Sequence, residues 1–283
     1  MKNLKNKAAV VTGAGSGIGS ATALALAHEG CQLAISDVNE PELEETRLAI
    51  DALGVRVHAR LLDVADKEAF ENYARAVVDT FGAVNIVINN AGVIIRGSLQ
   101  NTSMEDFEWL MSINFWGMVY GTMFFLPYLK QSGEGHICNV ASMFSMMAPV
   151  NVGAYAASKF AIRAFSESLR TELDVEECGV SVTSVQPGMI KTTLLRDGRM
   201  DPEFLKQEGQ TQEDAHEQYI KQAFNTPEKA ANKIVNGIKK NKMRVLIGFD
   251  AYLVDLGTRL APVLFRRLAI RILKMDKRKR EAA

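Results

Sequence analysis

The chain has 283 residues, 47% of them hydrophobic, and its 33 lysines and arginines balance 33 acidic residues. That length and apolar content support one large core, and the zero net charge excludes an overall field that would draw the protein to nucleic acid. No stretch reaches the ~18 uncharged apolar residues that a membrane-spanning helix needs.

In chain order, short runs rich in β-branched residues predict strands over 7–12, 32–36, 55–62, 85–89, 136–141, 180–186 and 243–247. Between them, three- and four-residue apolar spacing predicts helices over 18–28, 41–53, 67–81, 104–130, 155–178 and 227–240. Such alternation implies an α/β fold, a doubly wound parallel sheet of Rossmann-like type. One domain over 1–250 is expected, followed by an extension over 251–283. Thr226 and Pro227 mark a helix start, with Thr as the cap and Pro where its missing N–H costs nothing. The segment 190–225 carries many charges and weak apolar periodicity, so it is expected to be a flexible lid over a site. Cys31, Cys138 and Cys178 are odd in number and widely spaced in apolar sequence, which predicts reduced thiols. The polar start at Met1–Lys7 carries no signal-peptide pattern, and a cytoplasmic protein is expected.

Chemistry concentrates in a few places. Thr12-Gly13-Ala14-Gly15-Ser16-Gly17-Ile18-Gly19 lies between the first strand and the first helix. There glycines let a backbone approach a pyrophosphate, and the helix N-terminus favours its charge. Alone, such a turn is weak evidence, because any tight strand-to-helix connection uses glycine. Asp37 ends the second strand, where a carboxylate can accept hydrogen bonds from the adenosine ribose and repel a 2′-phosphate. No Lys or Arg stands at Gly15, Ser16, Val38 or Asn39, so NAD is favoured over NADP. Tyr155 and Lys159 are four apart on a predicted helix and share one face. Oxidising an alcohol needs a base, and bringing a phenol from ~10 to neutrality takes ~3 units, or ~4 kcal/mol. An exposed ion pair supplies ~1 kcal/mol or less, so this pair must act in a desolvated site. The four histidines lack ligand spacing, and no metal is expected.

Gly13, Gly17 and Gly19 give G-x-x-x-G-x-G spacing, and with Asn89-Asn90-Ala91-Gly92, Asn114, Ser142, Tyr155-Ala156-Ala157-Ser158-Lys159 and Pro187-Gly188 in order behind it the chain resembles the short-chain dehydrogenase/reductase family. The resemblance covers about the first 250 residues. It implies that Ser142, Tyr155, Lys159 and Asn114 form the catalytic set, Ser142 bonding the substrate oxygen and Asn114 holding a water in a proton relay. It implies that Gly13, Ser16, Gly17, Ile18 and Gly19 cradle the cofactor with Asp37. Asp63 and Val64 would meet the adenine, and Asn90, Ala91 and Gly92 would line the adenosine side. Pro187 and Gly188 would shape the strand end beneath the nicotinamide, and Ile190 and Thr192 would hold its carboxamide. A homodimer or homotetramer acting on a small molecule is implied as well.

By family analogy Met143–Val150 and Met189 flank the substrate, with Val93, Ile94 and Ile95 adding apolar surface. A thioether-rich pocket suits a lipophilic secondary alcohol or ketone of steroid, retinoid or long-chain type, while ordinary core packing is the plain alternative. An NADPH-dependent carbonyl reductase and a non-catalytic NAD sensor are the competing readings. From Arg259 onward nine basic residues face two acidic ones. A helix starting at Pro262 would put Leu264, Phe265, Leu268, Ile272, Leu273 and Met275 on one side, and Arg266, Arg267, Arg271, Lys274 and Arg278 on the other. That apolar side is expected to pack on the protein or a second subunit, with peripheral contact to a membrane as the alternative.

Overall fold

The computed structural model describes residues 1–281, apart from the side chains of 269, 272, 273 and 276–281. Its first half runs β1 (Ala8–Thr12), α1 (Gly17–His28), β2 (Gln32–Asp37), α2 (Glu40–Asp51), β3 (Val57–Leu61), α3 (Lys67–Phe81), β4 (Ile86–Asn89), β5 (Ile95–Arg96), α4 (Met104–Met111), α5 (Gly117–Gln131) and β6 (Gly135–Val140). Then follow α6 (Gly153–Glu176), β7 (Val180–Pro187), β8 (Arg199–Met200), α7 (Pro202–Glu208), α8 (Gln212–Gln222), α9 (Pro227–Lys239), β9 (Arg244–Ile247), α10 (Phe249–Leu260) and α11 (Pro262–Glu281).

Seven strands form one parallel sheet in the order β3-β2-β1-β4-β6-β7-β9. The two-residue period of a strand sends alternate side chains to opposite faces. Ala9, Val11, Ile86 and Ile88 therefore join α1, α2 and α9 in one layer, through Leu26, Leu43, Ile50 and Ile234. Val10, Val87, Ile137 and Val182 join α3, α5 and α6 in the other, through Phe70, Val77, Phe125 and Leu169. Both faces are covered, which is why these strands read as unbroken apolar runs. Truncating any of the fully buried leucines or isoleucines is worth ~2–5 kcal/mol. Helix starts are fixed by side chains: Asn39, Asp66 and Thr226 accept from the N–H groups of Glu42, Ala69 and Lys229.

The chain leaves β1 to one side of the sheet and β4 to the other, so strand order reverses between them. A crevice opens there at the carboxyl ends of the strands, which is where ligands bind in such sheets.

Three segments differ from the sequence expectation. The long helix over 104–130 is interrupted by a π turn, Ser112–Trp116, that splits α4 from α5 and carries the buried Asn114. The segment 190–225 is built, with α7 and α8 in it and β8 paired to β5. It hid from periodicity because its helices are short and bury one residue each, Phe204 and Ala215. Caps hold them instead: Asp201 receives the N–H of Glu203, and Thr211 forms a capping box with Asp214.

Helix α10, unread in the sequence, packs Ala251 and Val254 against Met143 and Met146. Helix α11 starts at Pro262 as expected. Of its expected apolar side, Phe265 packs into the α10 cluster, whereas Leu264, Leu268 and Met275 are exposed. That part is therefore not covered by the protein's own body. The side chains of Ile272, Leu273 and Arg278 lie outside the described residues.

Candidate active site

The crevice is a cavity of about 990 Å³. Its floor on one arm is the turn between β1 and α1. Gly13 has φ +62°, and a Cβ there would stand 2.7 Å from the Ala91 Cα. A Cβ at Gly19 would run into the Gly13 carbonyl, and one at Gly17, with φ +55°, would press on Thr192. These three positions admit no side chain, so the turn presents bare backbone to the cavity. Ser16 stands at the N-cap of α1 without a side-chain capping bond; its hydroxyl lies 3.2 Å from that of Thr193. The first N–H groups of α1 are thus left to an anion. A cradle that a Cβ would fill, beneath an uncapped helix N-terminus, fits a dinucleotide pyrophosphate.

Asp37 is oriented by two backbone donors, Gly15 N–H at 2.8 Å and Asn39 N–H at 3.0 Å. Glu42 lines the cavity beside it. Asp63 is exposed and accepts the Ala65 N–H at 2.9 Å, while Val64 is buried; both line the same arm.

Asn90 lines the cavity, but its side chain is engaged by the chain itself. Its Nδ2 donates to the carbonyls of Thr12 and Gly13, at 3.0 and 2.9 Å. Thr12 Oγ1 in turn accepts the N–H groups of Asn90 and Ala91. Asn90 therefore clamps the end of β4 to the cradle.

At the junction of the two arms stand Ser142, just past β6, and Tyr155 and Lys159 on the first turns of α6. All three are buried, and all three line the cavity. Burial pushes the Tyr155 phenol well above its ordinary range, and a hydrogen bond with the Ser142 hydroxyl opposes that push. Burial also pulls the Lys159 ammonium down, to about 8. Its Nζ donates to the Val140 carbonyl at 3.0 Å and lies 5.5 Å from the centre of the Tyr155 ring.

Asn114 lies beneath Gly92, outside the cavity lining. Its Oδ1 accepts the Val93 N–H at 2.8 Å, and its Nδ2 donates to Val93 O and Ser158 Oγ. A Cβ at Gly92 would sit 3.1 Å from Asn114 Oδ1 and 3.3 Å from Lys159 Nζ, so the two side chains converge under that glycine.

Pro187, Gly188, Ile190 and Thr192 follow β7 into the cavity wall. This loop is pinned from behind: Met189 N–H donates to Asp250 at 2.6 Å, and Lys191 N–H to Asn225 O at 2.9 Å. Sequence reasoning missed Asp250, Asn225 and Tyr219, because each acts on the loop from a distant helix or turn. Tyr219 had one visible cue, an aromatic in a highly polar helix. Every other expected cofactor residue except Gly19, which lies under the cradle, lines the cavity.

The second arm mixes apolar and aromatic side chains with polar ones from α8, Gln218 and Gln222. Trp109, Met143, Phe144, Met189, Leu195 and Phe204 wall it. The Phe144 and Tyr155 rings meet edge to face at 6.4 Å.

Comparison with known proteins agrees with this geometry. A model of the family described as short chain dehydrogenase matches residues 7–203. SadH of Mycobacterium tuberculosis, a protein named as an oxidoreductase, is 41% identical over 269 residues, 95% of each chain. The C alpha-dehydrogenase of Sphingobium sp. strain SYK-6 is 30% identical over 251 residues, 87% of this chain and 82% of that one. A solved short-chain dehydrogenase/reductase from Burkholderia phymatum, in complex with NAD, superposes with a TM-score of 0.81 at 29% identity, over 96% of this chain and 97% of that one. Sequence, sheet order and site geometry thus converge, and the chain is an oxidoreductase of the short-chain dehydrogenase family.

Proposed function

We propose that the protein interconverts a lipophilic secondary alcohol and its ketone with NAD(H). The observation that carries this reading is the placement of the Tyr155 phenol, lining one cavity with Ser142 and with Lys159 Nζ 5.5 Å from its ring centre, where the bare-backbone cradle meets the second arm.

Gly13, Ser16, Gly17, Ile18 and Gly19 would take the pyrophosphate, and Asp37 the adenosine ribose, with Ile190 and Thr192 on the nicotinamide carboxamide. A 2′-phosphate would face the carboxylate of Asp37, which supports NAD over NADP. When bound, the cofactor accepts or gives the hydride and, oxidised, brings a positive ring into the site. The chain's own part is the proton. Ser142 donates a hydrogen bond to the substrate oxygen and stabilises its developing charge. Tyr155 takes the hydroxyl proton in oxidation and returns it in reduction. The phenol is held neutral by burial, so it becomes a base only when positive charge accumulates beside it. Lys159, buried and linked to Val140, supplies that charge at fixed distance below pH 8. Asn114 fixes the Val93 backbone and Ser158, and thereby the wall against which Lys159 rests.

Absorbance at 340 nm, with NAD or NADP and secondary alcohols from cyclohexanol to hydroxysteroids, tests the reading beside Tyr155→Phe. Turnover with NAD that rises with substrate size, and falls ~10²–10⁴-fold in the variant, is the expected result. Turnover with NADP alone would favour a carbonyl reductase, and NAD binding without any turnover an NAD sensor.

We also propose a cytoplasmic homodimer or homotetramer, which light scattering after size-exclusion chromatography would read. The exposed Leu264 and Leu268 favour a covering partner for α11, and vesicle co-sedimentation tests a membrane in that place.

A further inference from the structure

The wall that would meet the nicotinamide is already engaged. Around it the backbone is satisfied from behind: Gly188 N–H bonds Ile247 O, Met189 N–H bonds Asp250, and Lys191 N–H bonds Asn225 O. The N–H and C=O of Ile190 are met from the other side, by one phenol. Tyr219 Oη donates to Ile190 O at 2.8 Å and accepts from Ile190 N–H at 3.3 Å. Thr192 stands two residues further along the same wall. Tyr219, Ile190 and Thr192 all line the cavity.

One residue's N–H and C=O, displayed together, match a primary amide, which offers an acceptor oxygen and a donor nitrogen side by side. A phenol both donates and accepts, so a single hydroxyl can answer both groups. The Tyr219 hydroxyl thus holds the donor and acceptor that an incoming carboxamide needs. Tyr219 belongs to α8, whose one fully buried residue is Ala215. The Tyr219 ring packs beside the cluster of Leu110, Tyr155 and Leu195, and Gln212 ties the helix to the Leu195 and Gly198 carbonyls. Displacing the hydroxyl therefore exchanges polar contacts and part of that ring contact.

We propose that Tyr219 is a latch on the amide subsite: its hydroxyl occupies the Ile190 backbone until the cofactor's carboxamide displaces it, so that cofactor binding moves α8 and reshapes the substrate arm. The inference rests on the reading of Ile190 and Thr192 as the carboxamide site. Cofactor then binds before substrate, because Gln218, Tyr219 and Gln222 of the same helix line the substrate arm. The latched state lowers apparent affinity by the fraction of molecules that are unlatched. Two neutral hydrogen bonds of ordinary net strength make that factor about 5- to 150-fold.

Titration calorimetry of NAD and of ADP-ribose, which lacks the nicotinamide, separates the cases. In Tyr219→Phe the latch is absent. NAD should bind about 5- to 150-fold more tightly, and ADP-ribose with unchanged affinity. Equal or weaker NAD binding overturns the latch and makes Tyr219 a prop for α8. An equal gain for both ligands overturns it too, since the effect would not be confined to the amide. The carboxamide reading is tested apart, by adding Thr192→Val to the Tyr219→Phe chain. A loss of NAD affinity there, with ADP-ribose untouched, supports the subsite even if the latch fails. No loss there removes the subsite and the latch with it.

Discussion

In the cradle arm of the cavity the decisive contacts are close backbone approaches, Gly13 against Ala91 and Gly19 against the Gly13 carbonyl, clamped by the Asn90 side chain on the Thr12 and Gly13 carbonyls. In the second arm and the loop after β7 they are side chain on backbone over long separations: Gln212 on three carbonyls, Tyr219 on Ile190, Asp250 on Met189. The first arm is rigid because any added atom collides. The second can rearrange at the cost of a few hydrogen bonds. One cavity can thus hold a fixed ligand in one half and adapt to a variable one in the other.

Substituting Gly19→Ala would break the rigid half most severely. The added Cβ meets the Gly13 carbonyl and the Asn90 amide, both backbone-anchored, so neither can give way cheaply. Overpacking of this kind costs ~1–3 kcal/mol or more, and the melting temperature should fall by several degrees with NAD binding abolished. Calorimetry and thermal unfolding read both. Normal NAD affinity in a stable Gly19→Ala protein would mean that the cradle is not rigid.

Lys159 sharpens the comparison at the junction, where function opposes stability. Its ammonium titrates near 8 in the folded chain against an ordinary 10.5. Between those values the folded chain binds fewer protons than the unfolded one, so this group's contribution to stability rises with pH. Below pH 8 the full penalty applies, at most about 3 kcal/mol. Lys159→Met should therefore stabilise the protein at pH 7 by about 1–3 kcal/mol, allowing for the lost bond to Val140, while removing turnover. The advantage should shrink as pH rises from 7 to 9. An Lys159→Met protein less stable than the parent at pH 7 would show that the bond to Val140 outweighs desolvation.

What the sequence disclosed divides along the same line. Strands flanked by helices on both faces leave continuous apolar runs, so all seven strands of the main sheet could be read to within a few residues. Glycines forced by collision leave an unmistakable spacing, and Tyr155, Lys159 and Ser142 lie close enough along the chain for their convergence to be inferred. Asn114 could be named by family likeness, but the π turn beneath it had no cue, because one extra residue in a helical turn leaves the apolar pattern almost unchanged. Helices α7 and α8 were invisible to periodicity, since caps rather than an apolar stripe hold them. Tyr219, Asn225 and Asp250 reach the loop after β7 from outside it, across 29, 36 and 61 residues, and no local rule links positions so far apart.

The smallest expected effect tests the adaptable half. Gln212 Nε2 lies 3.1, 2.9 and 2.9 Å from the carbonyls of Leu195, Arg196 and Gly198. It thereby ties the start of α8 to the short helical turn Thr193–Leu195, and residues of both line the cavity. Gln212→Ala frees those partly exposed carbonyls to water, so the loss is ~1 kcal/mol and local. Because α8 buries only Ala215, the melting temperature should hold within about a degree. The loss should appear instead in substrate binding, as a rise in KM of about fivefold with kcat little changed. Loss of global stability on the scale of Gly19→Ala would place α8 in the same cooperative unit as the cradle, and the two arms would then differ in chemistry but not in rigidity.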